Sequence, residues 1–231
     1  NSSTYTVLVR GGAADPRVKD VAGNALAADY TWSFTTVAGV GANCPCTIWE
    51  ETTTPATASV NDTDAVELGV KFRSEIAGYI TGVRFYKGVN NTGTHIGNLW
   101  DSSGQLLSTA TFVNESASGW QTVTFGTPVA IAANTTYVAS YHTGSGGYAV
   151  DGGYFLGGGV DNAPLRALAN GEEGGNGVYI YSATSAYPSQ TYNGGNYWVD
   201  VVFATEVTPD TTAPTVSVTS PTEGASLEGV T

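Results

Sequence analysis

The stretch ELGVKFRSEIAGYITGVRFYKGVNNTGTHIGNLW, residues 67–100, reads as three strands in succession. Apolar and polar residues alternate from Glu67 to Phe72, from Tyr79 to Tyr86 and from Ile96 to Trp100, and clusters of Gly, Asn and Thr part the runs. Alternation with period two marks a half-buried strand, and the separating residues are those that make turns. The signature continues at Leu106 to Val113, Gln121 to Phe125, Tyr137 to His142, Val178 to Tyr181 and Tyr197 to Phe203, and no stretch sustains a helical period. Short strands at this spacing predict an all-β fold, a two-sheet antiparallel β-sandwich of jelly-roll type.

Composition narrows the function. The 231 residues hold 30 glycines, 11% aromatics and only 12% charged side chains, a profile of short strands and many turns. Lys and Arg total 8 against 20 Asp and Glu, a net charge of -12. A phosphate backbone needs a basic surface, so no nucleic-acid partner is expected, and anionic membranes are disfavoured as well. Neutral ligands, divalent cations or plain solubility all fit an acidic balance. No apolar run approaches the ~20 residues of a membrane span, so no membrane insertion is expected. The chain has no methionine and starts inside a strand pattern, which reads as an internal piece of a longer polypeptide.

The information is concentrated in residues 43–206. There, ELGVKFRSEIAGYITGVRFYKGVNNTGTHIGNLWDSSGQLLSTATF, ESASGWQTVTFGTPVAIAANTTYVASYHT and GNYWVDVVF follow one another in order. Together they resemble the bacterial extracellular module known as domain of unknown function 4082, over about Cys44 to Phe203. The resemblance carries no catalytic residues; it implies an accessory module of secreted polysaccharide-processing or adhesive proteins. Residues 1–37, with VKDVAGNALAADYTWSFTT, resemble the C-terminal part of a bacterial immunoglobulin-like domain. Residues 207–231 read as a Thr- and Pro-rich linker followed by APTVSVTSPTEGASLEG, similar to the start of another such domain. Secretion or display at the cell surface is the implied location, with neighbouring domains of the same chain as partners.

Period-two alternation splits strands into faces. Val83 and Phe85, and likewise Val199, Val201 and Phe203, should point into the core, leaving Arg84, Tyr86, Trp198 and Asp200 on the opposite face. From Tyr137 to His142, the residues Tyr137, Ala139 and Tyr141 share one face, and Ser140 and His142 the other. If the outward sets belong to one sheet, Arg84, Tyr86, His142, Trp198 and Asp200 form a polar floor with aromatic plates. Trp100, next to Leu99 at a strand end, adds one more candidate plate. A glycan is recognised by that combination, because rings cover the C–H face of a sugar while charged groups take its hydroxyls. The competing reading has the rings packing the sandwich and Arg84 paired with Asp200 as a structural ion pair.

Three further clusters bear on chemistry. Asp62, Asp64 and Glu67 place oxygen ligands in and beyond a loop, as a structural calcium would require, although acidic turns are most often merely solvated. No cofactor is otherwise expected. Tyr148, Tyr154, Phe155, Tyr179, Tyr181, Tyr187 and Tyr192 crowd a stretch rich in Gly, Ser and Asn, which suits either an adaptable binding surface or plain strand propensity. Cys44 and Cys46 flank Pro45, and they either close a local disulfide or stay as inert thiols. No G-x-S-x-G elbow and no metal-spaced histidine pair occurs. The sequence therefore reads as a non-catalytic module that binds carbohydrate, the alternative being a spacer or adhesion domain without a small ligand.

Overall fold

A computed structural model describes residues 3–36 and 44–207. The first stretch carries β1 (Ser3–Val9) and β2 (Tyr30–Thr36), paired antiparallel as a two-stranded sheet. The second carries β3 (Val66–Ser74), β4 (Gly78–Lys87), β5 (His95–Asp101), β6 (Leu106–Thr111), β7 (Gly119–Ile131), β8 (Tyr137–Thr143), β9 (Val160–Asn162), β10 (Leu165–Ala167), β11 (Val178–Tyr181), β12 (Gln190–Thr191) and β13 (Val199–Ala204). The region expected at 207–231 lies, from residue 208 onward, outside the described residues.

Two antiparallel sheets face each other. The larger runs β12-β11-β3-β8-β5-β6, with β10 also on the β3 edge and β9 beside β10; the smaller runs β13-β4-β7. The pairings are nested. β5 pairs with β6, β4 with β7, β3 with β8, and outside them all Cys46 bridges Phe203 of β13. One long hairpin rolled on itself gives this order, which is the jelly roll that the strand spacing predicts. Its first strand is reduced to the single Cys46 bridge.

The core lies between the sheets. Val66, Leu68, Val70 and Phe72 of β3 and Ala139 and Tyr141 of β8 meet Val83 and Phe85 of β4 and Val199, Val201 and Phe203 of β13. Phe85 stacks on Tyr141 with ring centroids 4.0 Å apart and takes the edge of Phe112 at 4.9 Å. Burial of this apolar area is the main driving force of the fold. The alternation read from the sequence assigns these inward residues as the structure has them.

The roll is interrupted once, between β8 and β13. Residues 144–198 leave it, form β9 to β12 and a 3-10 turn at Tyr154–Leu156, and return. β11 adds to the β3 edge in register, with Tyr179 opposite Leu68 and Tyr181 opposite Val66. Tyr179 and Tyr181 therefore lie on the inner face of the large sheet, in the strand between β3 and the two-residue β12.

The small sheet leaves no space at Gly82, where β4 changes register against β7. A Cβ there would lie 2.1 Å from the Val123 carbonyl oxygen, a backbone atom that cannot swing away. Gly82→Ala is expected to destabilise the module by roughly 1–3 kcal/mol, the usual magnitude of overpacking. Urea unfolding measures it, and an unchanged midpoint would contradict the packing described.

Candidate functional site

The residues expected to form an exposed polar floor are brought together in part, and all but the half-buried Tyr86 are buried. Arg84 is 1% exposed, Asp200 0%, Trp198 2%, His142 5% and Trp100 6%. They also divide between sheets, with Arg84, Tyr86, Trp198 and Asp200 on the smaller and His142 and Trp100 on the larger. Alternation placed Arg84, Tyr86, His142 and Asp200 on the outer sides of their strands, as the structure does, whereas Trp198 precedes β13 rather than lying in it. What it does not carry is the cover that distant segments lay over both outer sides.

Over the small sheet lies the segment from Cys46 to Thr53. The Arg84 Nε and Nη2 donate to the Asp200 carboxylate at 2.9 and 2.8 Å, and its Nη1 reaches Glu51 at 3.0 Å. Arg84 Nη2 also donates to the Trp49 carbonyl, and its guanidinium sits 4.3 Å above the Trp120 ring. Asp200 accepts the backbone N–H groups of Ile48, Trp49 and Val201 at 2.8, 3.1 and 2.7 Å. Burial pushes the Asp200 carboxyl up, and Arg84 with these N–H donors opposes the push. The structural ion pair is the reading that holds. Tyr86 and Trp198 pack with Trp120 and Trp49 at centroid distances of 5.8 to 6.3 Å. Trp198 adopts φ 55, in the left-handed region that bulky residues avoid, and its indole donates to Asp151 at 3.1 Å.

Over the large sheet lies the segment from Ser182 to Pro188. His142 Nε2 meets the Ser182 carbonyl at 2.9 Å, and Trp100 lies under Tyr187 and donates to Ser140 Oγ at 2.7 Å. Leu99 joins the core between the sheets and Trp100 the outer side, and both are buried.

The acidic set Asp62, Asp64 and Glu67 does not converge, and among the described residues no three metal-ligating side chains come together. Glu67 is the second residue of β3, opposite His142 of β8, and points to the outer side of the large sheet. Its Oε1 accepts Ser140 Oγ at 2.5 Å and Asn98 Nδ2 at 2.8 Å. Asp62 instead folds back on its own loop, with Oδ1 accepting the Asp64 N–H at 3.0 Å. Glu67 lies in the strand read from Glu67 to Phe72, and Asp62 and Asp64 lie in the loop before it.

The exposed aromatic site lies elsewhere, at the edge of the large sheet. Tyr148, Tyr179, Tyr181, Tyr192 and Tyr197 line a cleft of about 290 Å³, near the ~300 Å³ lower end of ligand sites. Neighbouring rings meet edge to face, Tyr148 with Tyr197 at 5.8 Å, Tyr197 with Tyr179 at 6.1 Å and Tyr179 with Tyr181 at 5.8 Å. Tyr181 is 49% and Tyr192 72% exposed, whereas Tyr197 is buried. Each wall has a local cause. Tyr179 and Tyr181 share a face because they are two apart in β11. Tyr148 follows Gly146 and Gly147, whose positive φ angles of 61 and 64 turn the chain onto Asp62. The Gly147 N–H donates to the Asp62 carbonyl at 2.7 Å, and a Cβ on Gly146 would sit 2.1 Å from that oxygen. Tyr192 and Tyr197 bracket the turn at Asn193 and Gly194, both also at positive φ.

Asp62 ties two of these rings together. Its Oδ2 accepts the hydroxyls of Tyr181 at 2.6 Å and Tyr148 at 3.1 Å. Burial works to raise this carboxyl, but the hydrogen bonds from Tyr181, Asp64 and Tyr148 outweigh it and hold Asp62 below the ordinary carboxylate range. The tyrosine-rich stretch noted in the sequence thus supplies Tyr148, Tyr179, Tyr181 and Tyr192. Tyr154, Phe155 and Tyr187 go to packing, against Trp198, the core and Trp100. Tyr197 was missed, because the sequence reads it as an ordinary strand start. Cys44 and Cys46 are joined as a disulfide at the entry to the module.

Two outcomes follow for stability. Asp200→Ala leaves the buried Arg84 charge with only the exposed Glu51 to offset it, so it is expected to lose about 3–5 kcal/mol, whereas Tyr192→Ala at the exposed rim should shift unfolding by no more than ~0.5 kcal/mol; equal effects in urea unfolding would refute this division. Burial pushes the Glu67 carboxyl from 4.5 up to about 7. The folded state therefore holds a proton that the unfolded chain releases, and stability falls as pH rises through that window, by roughly 3 kcal/mol in all. Subtracting the pH profile of Glu67→Gln from that of the unaltered protein isolates the effect, and a difference that grows with pH in the other sense counts against it.

No curated protein matches the chain. The family described as Domain of unknown function (DUF4082) matches residues 52–199, which take in β3 to β12, all five tyrosines of the cleft and the Arg84 guanidinium. The chain belongs to the DUF4082 family.

Proposed function

We propose that the chain is a non-catalytic accessory module of a secreted or cell-surface multidomain bacterial protein, and that it binds carbohydrate in the tyrosine cleft. The observation that carries this reading is the convergence of five tyrosine rings, two of them well exposed, on one cleft at a rigid sheet edge. Tyrosine rings offer flat apolar faces to the C–H groups of a pyranose and hydroxyls to its rim, at little entropic cost because each ring turns on only two torsions. The strong negative charge of the chain fits a ligand other than a nucleic acid. A disulfide at Cys44 and Cys46 suits an oxidising compartment.

Catalysis is not part of the proposal. The carboxylate seen beside the cleft, Asp62, is held below the ordinary range, whereas a general acid for glycoside hydrolysis needs a raised one. The second reading, a spacer or adhesion domain without a small ligand, is favoured by the two pinned covers, which stiffen the module and leave no polar floor on either sheet. The immunoglobulin-like flanks belong to both readings.

Affinity electrophoresis in gels containing soluble polysaccharides separates the two. Retardation by at least one polysaccharide is expected, lost in Tyr181→Ala and Tyr192→Ala with unchanged unfolding midpoints. Migration unaffected across a broad panel would favour the spacer.

A further inference from the structure

The hydrogen-bonding state of the cleft limits which sugars it can take. A tyrosine hydroxyl carries one proton and otherwise only accepts. In the corner formed by Tyr148 and Tyr181, both protons point at one oxygen of Asp62. Each hydroxyl then has only lone pairs to offer a ligand, and an anion stands behind them. The other Asp62 oxygen is taken by the Asp64 N–H. This corner can accept a hydrogen bond but cannot donate one. Tyr179, Tyr192 and Tyr197 complete the lining, so no basic side chain lines the cleft among the described residues.

We propose that the cleft selects glycans by hydrogen-bond polarity, preferring amino-sugar units that bear a free ammonium over neutral hexoses and rejecting uronates. The proposal rests on the carbohydrate reading of the same site. An ammonium has three donors and no acceptor, which complements two acceptor-only hydroxyls polarised by a carboxylate. It also gains from tyrosine faces, since a cation near an aromatic ring is held by the ring quadrupole. A hexose hydroxyl satisfies the corner without a charge. A uronate carboxylate meets acceptors with an acceptor, next to a like charge, with no cation to offset it.

Titration calorimetry at low salt and mildly acidic pH, with equal-length β-1,4-linked oligomers of glucosamine, glucose and glucuronate, tests the order. Glucosamine is expected to bind about tenfold more tightly than glucose, with glucuronate giving no heat. Asp62→Asn should remove most of the advantage of glucosamine over glucose, read as the ratio of the two affinities in the same variant. Glucuronate binding as well as glucose overturns the polarity inference alone. A glucosamine advantage that survives Asp62→Asn unchanged also overturns it, because the preference then comes from the overall charge of -12 rather than from this corner. If the protein binds none of the three oligomers and no polysaccharide in the gel assay, the carbohydrate reading falls and this inference with it.

Discussion

A guanidinium and a carboxylate withdrawn together from water hold the module closed. Arg84 and Asp200 are central to the small sheet, on neighbouring strands in direct register, and neither has appreciable contact with solvent. Each would be prohibitively costly to bury alone. Together they still leave lone pairs and N–H groups to satisfy, and the segment from Cys46 to Thr53 supplies the partners through the Ile48 and Trp49 backbone and the Glu51 side chain. The ion pair therefore does more than join β4 to β13. It ties down the segment from Cys46 to Thr53 where it crosses the sheet, beside the Trp49, Trp120, Trp198 and Tyr154 cluster.

The same device recurs on the other side. Glu67, Ser140, Asn98 and Trp100 form a buried polar row across β3, β8 and β5, and Ser185 reaches it from the overlying segment at 3.2 Å from Asn98. Here the fit is less complete, since Glu67 Oε2 and Asn98 Oδ1 are buried without a partner. A proton on Glu67 would turn one of these two acceptors into a donor, in keeping with its raised carboxyl. Inside the sandwich, His95 bridges Glu115 at 2.8 Å and Asn91 at 2.8 Å, and burial lowers its tendency to charge. Polar knots of this kind are specific because few arrangements satisfy all their members.

How much of this the sequence discloses depends on how local the cause is. Inward residues such as Val83, Phe85, Val199 and Phe203 could be read off, because pleating fixes the side to which a residue points. The side facing away from the core could be read equally well, but not what covers it. Arg84 and Asp200 are covered by residues some thirty-five and one hundred and fifty positions away. Trp198 was further obscured by its left-handed backbone, which no alternation reveals. The cleft was visible only as a crowd of tyrosines among glycines. Its selection of Tyr148, Tyr179, Tyr181, Tyr192 and Tyr197 requires three segments to meet, and Asp62, read as a candidate calcium ligand, turns out to orient two of the rings. Nesting of the strands was implied by spacing, whereas of the insertion between β8 and β13 only the strand at Val178 to Tyr181 and a stretch rich in Gly, Ser and Asn could be read.

The outermost pair of the roll carries a mechanical consequence. Cys46 and Phe203 exchange backbone hydrogen bonds of 2.8 and 2.9 Å as antiparallel neighbours, so the chain enters and leaves the module side by side. Tension applied through the two flanks would load that single bridge and peel it open, without passing along the remaining strands. The sandwich thus hangs beside the line of pull as a pendant rather than forming a link within it, and a cleft whose walls lie outside that bridge can keep its shape while the tether is stretched.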